Sequence, residues 1–155
     1  MEMIKDIIVD FVLFSGIEGI LYAMFYNKVC YCQKFNIFEI IIMSMGNCLI
    51  SCIILHIFYQ ILMIVWMSFC LLLKERNFDS ILKYIKYSVV GMIVFLVCET
   101  VTMFPLDKIF GINYNILSKF QIFICLIPTR ILELLIILIG GHTNMKSWFG
   151  GVVRK

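Results

Sequence analysis

Three sets of residues have the types and spacing to do chemistry. The first is Arg130 and Glu133, three positions apart inside a long apolar run. A helix places such a pair on one face. Each isolated charge at the centre of a bilayer costs about 2.5–3.5 kcal/mol on insertion scales. A chain that keeps two there uses them against something. Glu18 falls at matching depth in the first apolar run, beside Gly16 and Gly19, whose small size lets another helix come close. The expected arrangement is a buried cluster in which Glu18 and Glu133 flank Arg130 and join the first helix to the last. Two readings of it are open: it fixes helix packing, or it lines a polar pocket for a ligand or a two-state switch. Glu99 and Asp10 are further carboxylates toward the outer side, and Glu39 lies near the inner interface, where it can snorkel. Pro128 cannot donate to the carbonyl of Ile124; such a proline usually kinks a helix and can free the carbonyl to face a cavity, with simple curvature the more common outcome.

The second set is Cys48, Cys52 and His56, spaced as one face of a helix. They are soft metal ligands by type. No fourth ligand accompanies them, and such stripes are commonly packing surfaces, so no metal and no cofactor are assigned. The third is Cys30-x-Cys32, which has neither the redox C-x-x-C spacing nor a paired zinc motif. Gly-x-Ser-x-Gly, phosphate-loop and His-Glu-x-x-His patterns do not occur. No catalytic residue is assigned, and the chain is expected not to be an enzyme.

The elements that must position these residues follow from composition. Of 155 residues, 63% are hydrophobic and 15% charged, and the mean hydropathy is +1.02. Soluble domains are about 45–50% apolar and about 25% charged. A core this small cannot hide such an excess, so lipid must cover part of it. The seven cysteines are an odd number lying mostly in apolar runs, which argues against a secreted disulfide framework. Glu2, Asp6 and Asp10 stand where a cleavable signal would be basic.

The fold class expected is all-α: a polytopic membrane protein of about five transmembrane helices. The first run covers 7–26 and a polar loop 27–36. The apolar stretch 37–73 is long enough for two helices, with the turn expected at 56–60. A polar loop occupies 74–86, its half from Ser80 onward leading into the next helix. The fourth span covers 87–104 and is expected to stop at Pro105. A loop at 106–115 leads to the fifth span, 116–139, capped by Gly140 and Gly141. Residues 1–141 form one membrane domain and 142–155 a short basic cytoplasmic tail.

Basic residues choose the orientation. Alternate segments carry Lys28 and Lys34, then Lys74, Arg76, Lys83 and Lys86, then Lys146, Arg154 and Lys155. The other side carries Lys5, Lys108 and Lys119. The bias predicts an N-terminus outside and a C-terminus in the cytoplasm of a multi-pass cell-membrane protein.

With that layout, Phe14-Ser-Gly-Ile-Glu-Gly-Ile-Leu21, the stretch from Trp66 to Lys74, Glu99, and Ile127-Pro-Thr-Arg-Ile-Leu-Glu-Leu134 resemble the membrane sensor domain of accessory-gene-regulator-type peptide-pheromone receptor histidine kinases. These are common in low-GC Gram-positive bacteria. The resemblance implies quorum-sensing signal transduction: several helices forming a site for an extracellular peptide, followed by a cytoplasmic dimerisation helix and kinase. This chain has no phosphoacceptor helix or ATP-binding domain after Gly141. The expectation is a non-enzymatic, sensor-like module. Its partners would be the lipid bilayer, a small peptide ligand, and a histidine kinase or a second copy, with no nucleic acid. Glu18, Glu99, Arg130 and Glu133 would be the ligand-binding or coupling residues. The alternative is a small transport or permease component using the same charges. A membrane peptidase of the same regulator system, pairing His56 with Cys48 or Cys52, ranks lower because the residues around them do not match.

Overall fold

The computed structural model describes residues 8–9, 11–30, 32–53, 56–76, 78–110 and 117–142. A π-helical turn at Phe11–Ser15 leads into α1 (Gly16–Lys28). Helix α2 covers Ile37–Ile53, α3 His56–Glu75, α4 Ile81–Phe110 and α5 Lys119–His142. A 3-10 turn at Phe78–Ser80 precedes α4. No strand occurs among the described residues.

Local chemistry sets several helix ends. Asn36 Oδ1 accepts the backbone N–H of Glu39 at 2.8 Å, and Glu39 Oε2 accepts that of Asn36 at 2.7 Å. This reciprocal capping box starts α2. Ser118 and Gln121 do the same for α5, with Gln121 Oε1 accepting the Ser118 N–H at 2.9 Å. At the end of α3, Arg76 takes φ 52° while its N–H bonds to the Leu72 carbonyl at 2.9 Å. A left-handed residue in that place closes a helix.

The bundle is inside-out relative to a soluble protein. On α5 the outward stripe is Phe120, Ile124, Ile127, Ile131, Leu135 and Ile139, all exposed. On α3 the outward residues are Phe58, Ile61, Leu62, Val65, Phe69 and Leu73. Steps of three and four residues keep each set on one face. Contiguous apolar surface on this scale would be untenable in water. The interior is apolar too, with Phe25, Met43, Met63, Leu71 and Ile137 among its buried residues, but it also takes in the polar Ser15, Ser44, Asn47, Ser88, Thr129 and Glu133. Helices α3, α4 and α5 are each long and apolar enough to cross a membrane, and α2 is a shorter apolar helix. These are the features of a helical membrane protein.

Each helix packs on its neighbour in sequence, and α5 returns to α1, which also touches α4. Like α4, helix α1 touches three other helices and is a hub of the bundle. Its Tyr22, Phe25 and Tyr26 are buried among the core aromatics, with Phe25 and Tyr22 both against Phe95. Small residues set the approaches. Gly19 faces Ser44 of α2, Gly91 of α4 lies under the Phe25 ring, and Gly141 of α5 abuts Lys28. Gly46 of α2 lies against the Trp66 indole, whose Nε1–H donates to the Met43 carbonyl at 3.1 Å.

Several expected boundaries are corrected. Residues 56–60 do not form the turn, because α3 is helical from His56 onward. Pro105 does not stop α4, which runs on to Phe110. Proline removes one ladder bond and crowds the preceding turn, and here the flanking residues keep helical backbone through it. Gly140 and Gly141 are not a C-cap, because α5 includes both and reaches His142. There glycine serves close packing. The helix approaching Gly19 is α2, and Gly16 faces the Phe11 carbonyl of its own chain segment, so these glycines do not seat the last helix. Asp10 and the tail beyond His142 lie outside the described residues.

Gly46 offers a clear packing test. A Cβ there would fall inside the rigid Trp66 ring, whereas one on Gly91 would meet Phe25 Cε1 at 3.2 Å. Overpacking costs about 1–3 kcal/mol. Gly46→Ala should therefore lower the unfolding midpoint in mild detergent more than Gly91→Ala does. Equal midpoints would contradict the packing described.

Candidate functional site

The inward stripe of α5 is Leu126, Thr129, Glu133, Ile137 and Gly140. A carboxylate in that stripe is forced into the bundle when the opposite face is given to lipid. Glu133 is accordingly only 1% exposed. Arg130, one turn earlier, lies beside the stripe and reaches across it. Its Nη1 donates to both Glu133 oxygens, at 3.2 and 2.9 Å. Its Nη2 donates to Glu18 Oε1 of α1 at 2.5 Å. One guanidinium thus bridges two carboxylates and ties the last helix to α1. A planar fork of donors suits this job in a way an ammonium would not.

The π-helical turn before α1 bears on Glu18. Such turns insert a residue into the helical register. Here the turn buries Ser15 and sets Phe14 edge-on to Phe123 of α5, with ring centroids 6.2 Å apart. Phe14 and Glu18, four apart, both face α5.

Glu18, Arg130 and Glu133 line a cavity of about 180 Å³ together with Glu99, Tyr22 and Tyr59. Helices α1, α3, α4 and α5 all contribute to it. All four residues expected from the sequence are thus brought to one place. Tyr22 and Tyr59 were not singled out by sequence. Tyr22 had a signal, since it lies one turn after Glu18. Tyr59 and Gln60 of α3 supplied the polar patch that reads as a turn, but their polarity faces the cavity. The Tyr22 hydroxyl donates to Met92 Sδ at 3.3 Å, and its ring meets Phe95 edge-on at 4.3 Å.

A hydroxyl bridge closes α4 on α5 beside the cavity. The oxygens of Thr102 and Thr129 are 2.5 Å apart. The Thr102 hydroxyl also lies 2.9 Å from the Cys98 carbonyl. The network is satisfied when Thr102 donates to that carbonyl and Thr129 donates to Thr102. Pro128, next to Thr129, stays within the helix.

The other sequence candidates separate from this site. Glu39 belongs to the α2 capping box and pairs with Lys74 at 2.8 Å, at the end of the bundle carrying the 29–36 loop. Cys48 and Cys52 lie in α2 whereas His56 begins α3, so the three do not form one helical stripe. The side chains of Cys52 and His56 lie outside the described residues. Among those described, no group of three His, Cys, Asp or Glu could hold a metal ion. Cys30 and Cys32 are buried, and Asn27 donates to the Cys32 carbonyl at 3.2 Å. Burial, reinforced by Glu75, pushes the Cys32 thiol up to about 12. A thiol held protonated is a poor nucleophile and a poor metal ligand.

The bridge predicts an order of costs. Removing one partner of a buried ion pair costs about 3–5 kcal/mol, because the other charge is stranded. Arg130→Gln strands both carboxylates and should be the most damaging single change. Arg130→Gln with Glu133→Gln should recover part of the loss, since no buried charge remains on α5. An Arg–Glu swap with Glu18 is a poorer test, because it would set a new carboxylate beside Glu133. Unfolding midpoints of Arg130→Gln, Glu18→Gln, Glu133→Gln and the double variant check this; a double variant less stable than Arg130→Gln would refute the bridge.

No protein-family model, curated protein or solved structure matches this chain. Its function must be argued from the site.

Proposed function

We propose that this protein is a non-enzymatic, multi-pass membrane protein of receptor-sensor type that binds a small peptide or pairs with a signalling partner through its helical bundle. In this reading α1 to α5 make five spans, with the N-terminus outside and the C-terminus in the cytoplasm. The tally of basic residues on alternate segments supports that orientation.

One observation carries the reading. The first and last helices are joined by a partly buried Glu18–Arg130–Glu133 bridge that also lines a cavity. A purely structural bridge has no need of an adjoining cavity. Placed at that cavity, it lets a ligand that competes for one carboxylate alter the fit of α5 on α1. In the proposed orientation, Gln60 and Glu99 lie in the outer halves of α3 and α4, so the cavity opens toward the outside. The segments that resemble peptide-pheromone receptor sensors, 14–21 and 127–134, are the two that meet in the bridge. That coincidence supports the kinship. The charged lining also suits a subunit of a transporter, and solute flux into proteoliposomes containing the protein would favour that second reading.

Topology and ligand are tested separately. In a cysteine-free background, Lys5→Cys should react with an impermeant maleimide on intact cells. Lys86→Cys and Lys155→Cys should react only after permeabilisation. A photo-crosslinking residue at position 60, facing the cavity, should capture a peptide or a histidine kinase in native membranes. If it captures neither, the receptor reading fails.

A further inference from the structure

The charge inventory of the cavity specifies the chemistry of what enters it. Glu18 and Glu133 are two carboxylates that share one guanidinium, so the trio is left with one unit of negative charge when all are ionised. Each carboxylate offers about four lone-pair sites. Arg130 fills three sites in total, two on Glu133 and one on Glu18 Oε1. Glu18 Oε2 receives no hydrogen bond from the described residues, and the Glu18 side chain is 24% exposed. Glu99 adds a third carboxylate to the lining, where Arg130 is the one cationic side chain among the described residues, so negative charge outweighs positive even though Tyr59 and Gln60 bring neutral donors.

The walls add a second preference. Tyr22 and Tyr59 line the same cavity, together with Phe95. Aromatic faces attract cations within about 6 Å of the ring centroid. An anionic group would be repelled by Glu18, the most exposed member of the trio, while Arg130 is already bonded to both carboxylates. A neutral group would leave the excess charge uncompensated. Size narrows the choice further. A cavity of about 150 Å³ holds one benzene molecule, so about 180 Å³ takes one short-chain group and not a whole peptide.

We infer that the cavity between α1, α3, α4 and α5 binds a single organic ammonium group, its N–H donors on Glu18 Oε2 and its alkyl stem against the tyrosines. This deepens, and rests on, the ligand-binding reading above. The group is the lysine side chain of a peptide or a free alkylamine. Bound to Oε2, it draws charge from the carboxylate that Arg130 holds through Oε1, which is how occupancy would weaken the hold of α5 on α1.

The test uses the full chain in nanodiscs of neutral lipid and reads the shift in unfolding temperature. Butylammonium should raise it with half-saturation at about tenfold lower concentration than n-butanol or butyrate, a difference near 1.4 kcal/mol. Equal responses to butanol would mean an apolar pocket, and a larger response to butyrate an anion site; either overturns the inference. Glu18→Gln should abolish the preference. If that variant does not fold, the wild-type comparison of the three probes decides alone. A pentapeptide with one lysine, compared with its acetyl-lysine form, then separates the sources. Tighter binding by the lysine form than by butylammonium assigns the ammonium to a peptide, and weaker binding assigns it to a small amine. If butylammonium binds but crosslinking at position 60 captures neither peptide nor kinase, the receptor reading fails and the ammonium site stands. If a peptide is captured but butylammonium shows no preference, the reverse holds.

Discussion

A guanidinium held between two carboxylates, in a bundle whose outer surface is given to lipid, is the constraint on which the other arrangements depend. In water such a pair is worth little, because both ions lose hydration and gain only a screened attraction. Inside lipid there is no solvent to return to, and separating the partners strands charge. The bridge therefore need not be strongly favourable to dictate structure. It needs only to make every arrangement without it worse. Helix α5 can turn its Phe120-to-Ile139 stripe outward only if Glu133 turns inward. Once inward, Glu133 requires Arg130, and Arg130 reaches Glu18.

That logic was largely legible from the chain. Charges three apart in an apolar run, and a third at matching depth in another run, are visible without coordinates. Their meeting followed from the cost of leaving them apart. The all-helical class was legible for a similar reason, since hydropathy leaves few alternatives for a chain this apolar. Boundaries were harder. Proline and glycine punctuate helices because of backbone costs measured in water. In an apolar bundle an unsatisfied carbonyl has no solvent to turn to, so helical backbone continues through Pro105, Pro128 and Gly140. The misplaced turn at residues 56–60 has a related cause. Tyr59 and Gln60 are polar, but they face a cavity inside the bundle, and polarity alone does not say which kind of water or ligand it faces.

Capping chemistry was readable yet passed over. Asn36-x-x-Glu39 and Ser118-x-x-Gln121 are capping boxes in plain sequence. Glu39 is both a charge that pairs with Lys74 and a cap for α2. The aromatic lining had only half a signal. Tyr22 sits one turn from Glu18, but Tyr59 arrives from α3 by tertiary packing, which no local pattern encodes. The small-residue contacts divide in the same way. Gly19 was visible as a site of close approach, while its actual neighbour, Ser44 of α2, depends on how α1 is rotated by the π-helical turn.

The division between structure and function runs through the same residues. Glu133 is fully enclosed and doubly bonded to Arg130, so its role is to hold the guanidinium. Glu18 has one oxygen committed and the other turned to a cavity, so the bridge is closed on the α5 side and open on the α1 side. A site built only for stability would gain by satisfying both oxygens of Glu18 from the protein, and Tyr22 lies one turn away on the same face. The Tyr22 hydroxyl instead donates to the sulfur of Met92, a weak acceptor. The better donor is withheld from the better acceptor. A ligand group able to donate to Glu18 then enters without breaking a strong internal bond, and the closure of α5 on α1 becomes sensitive to what the cavity holds.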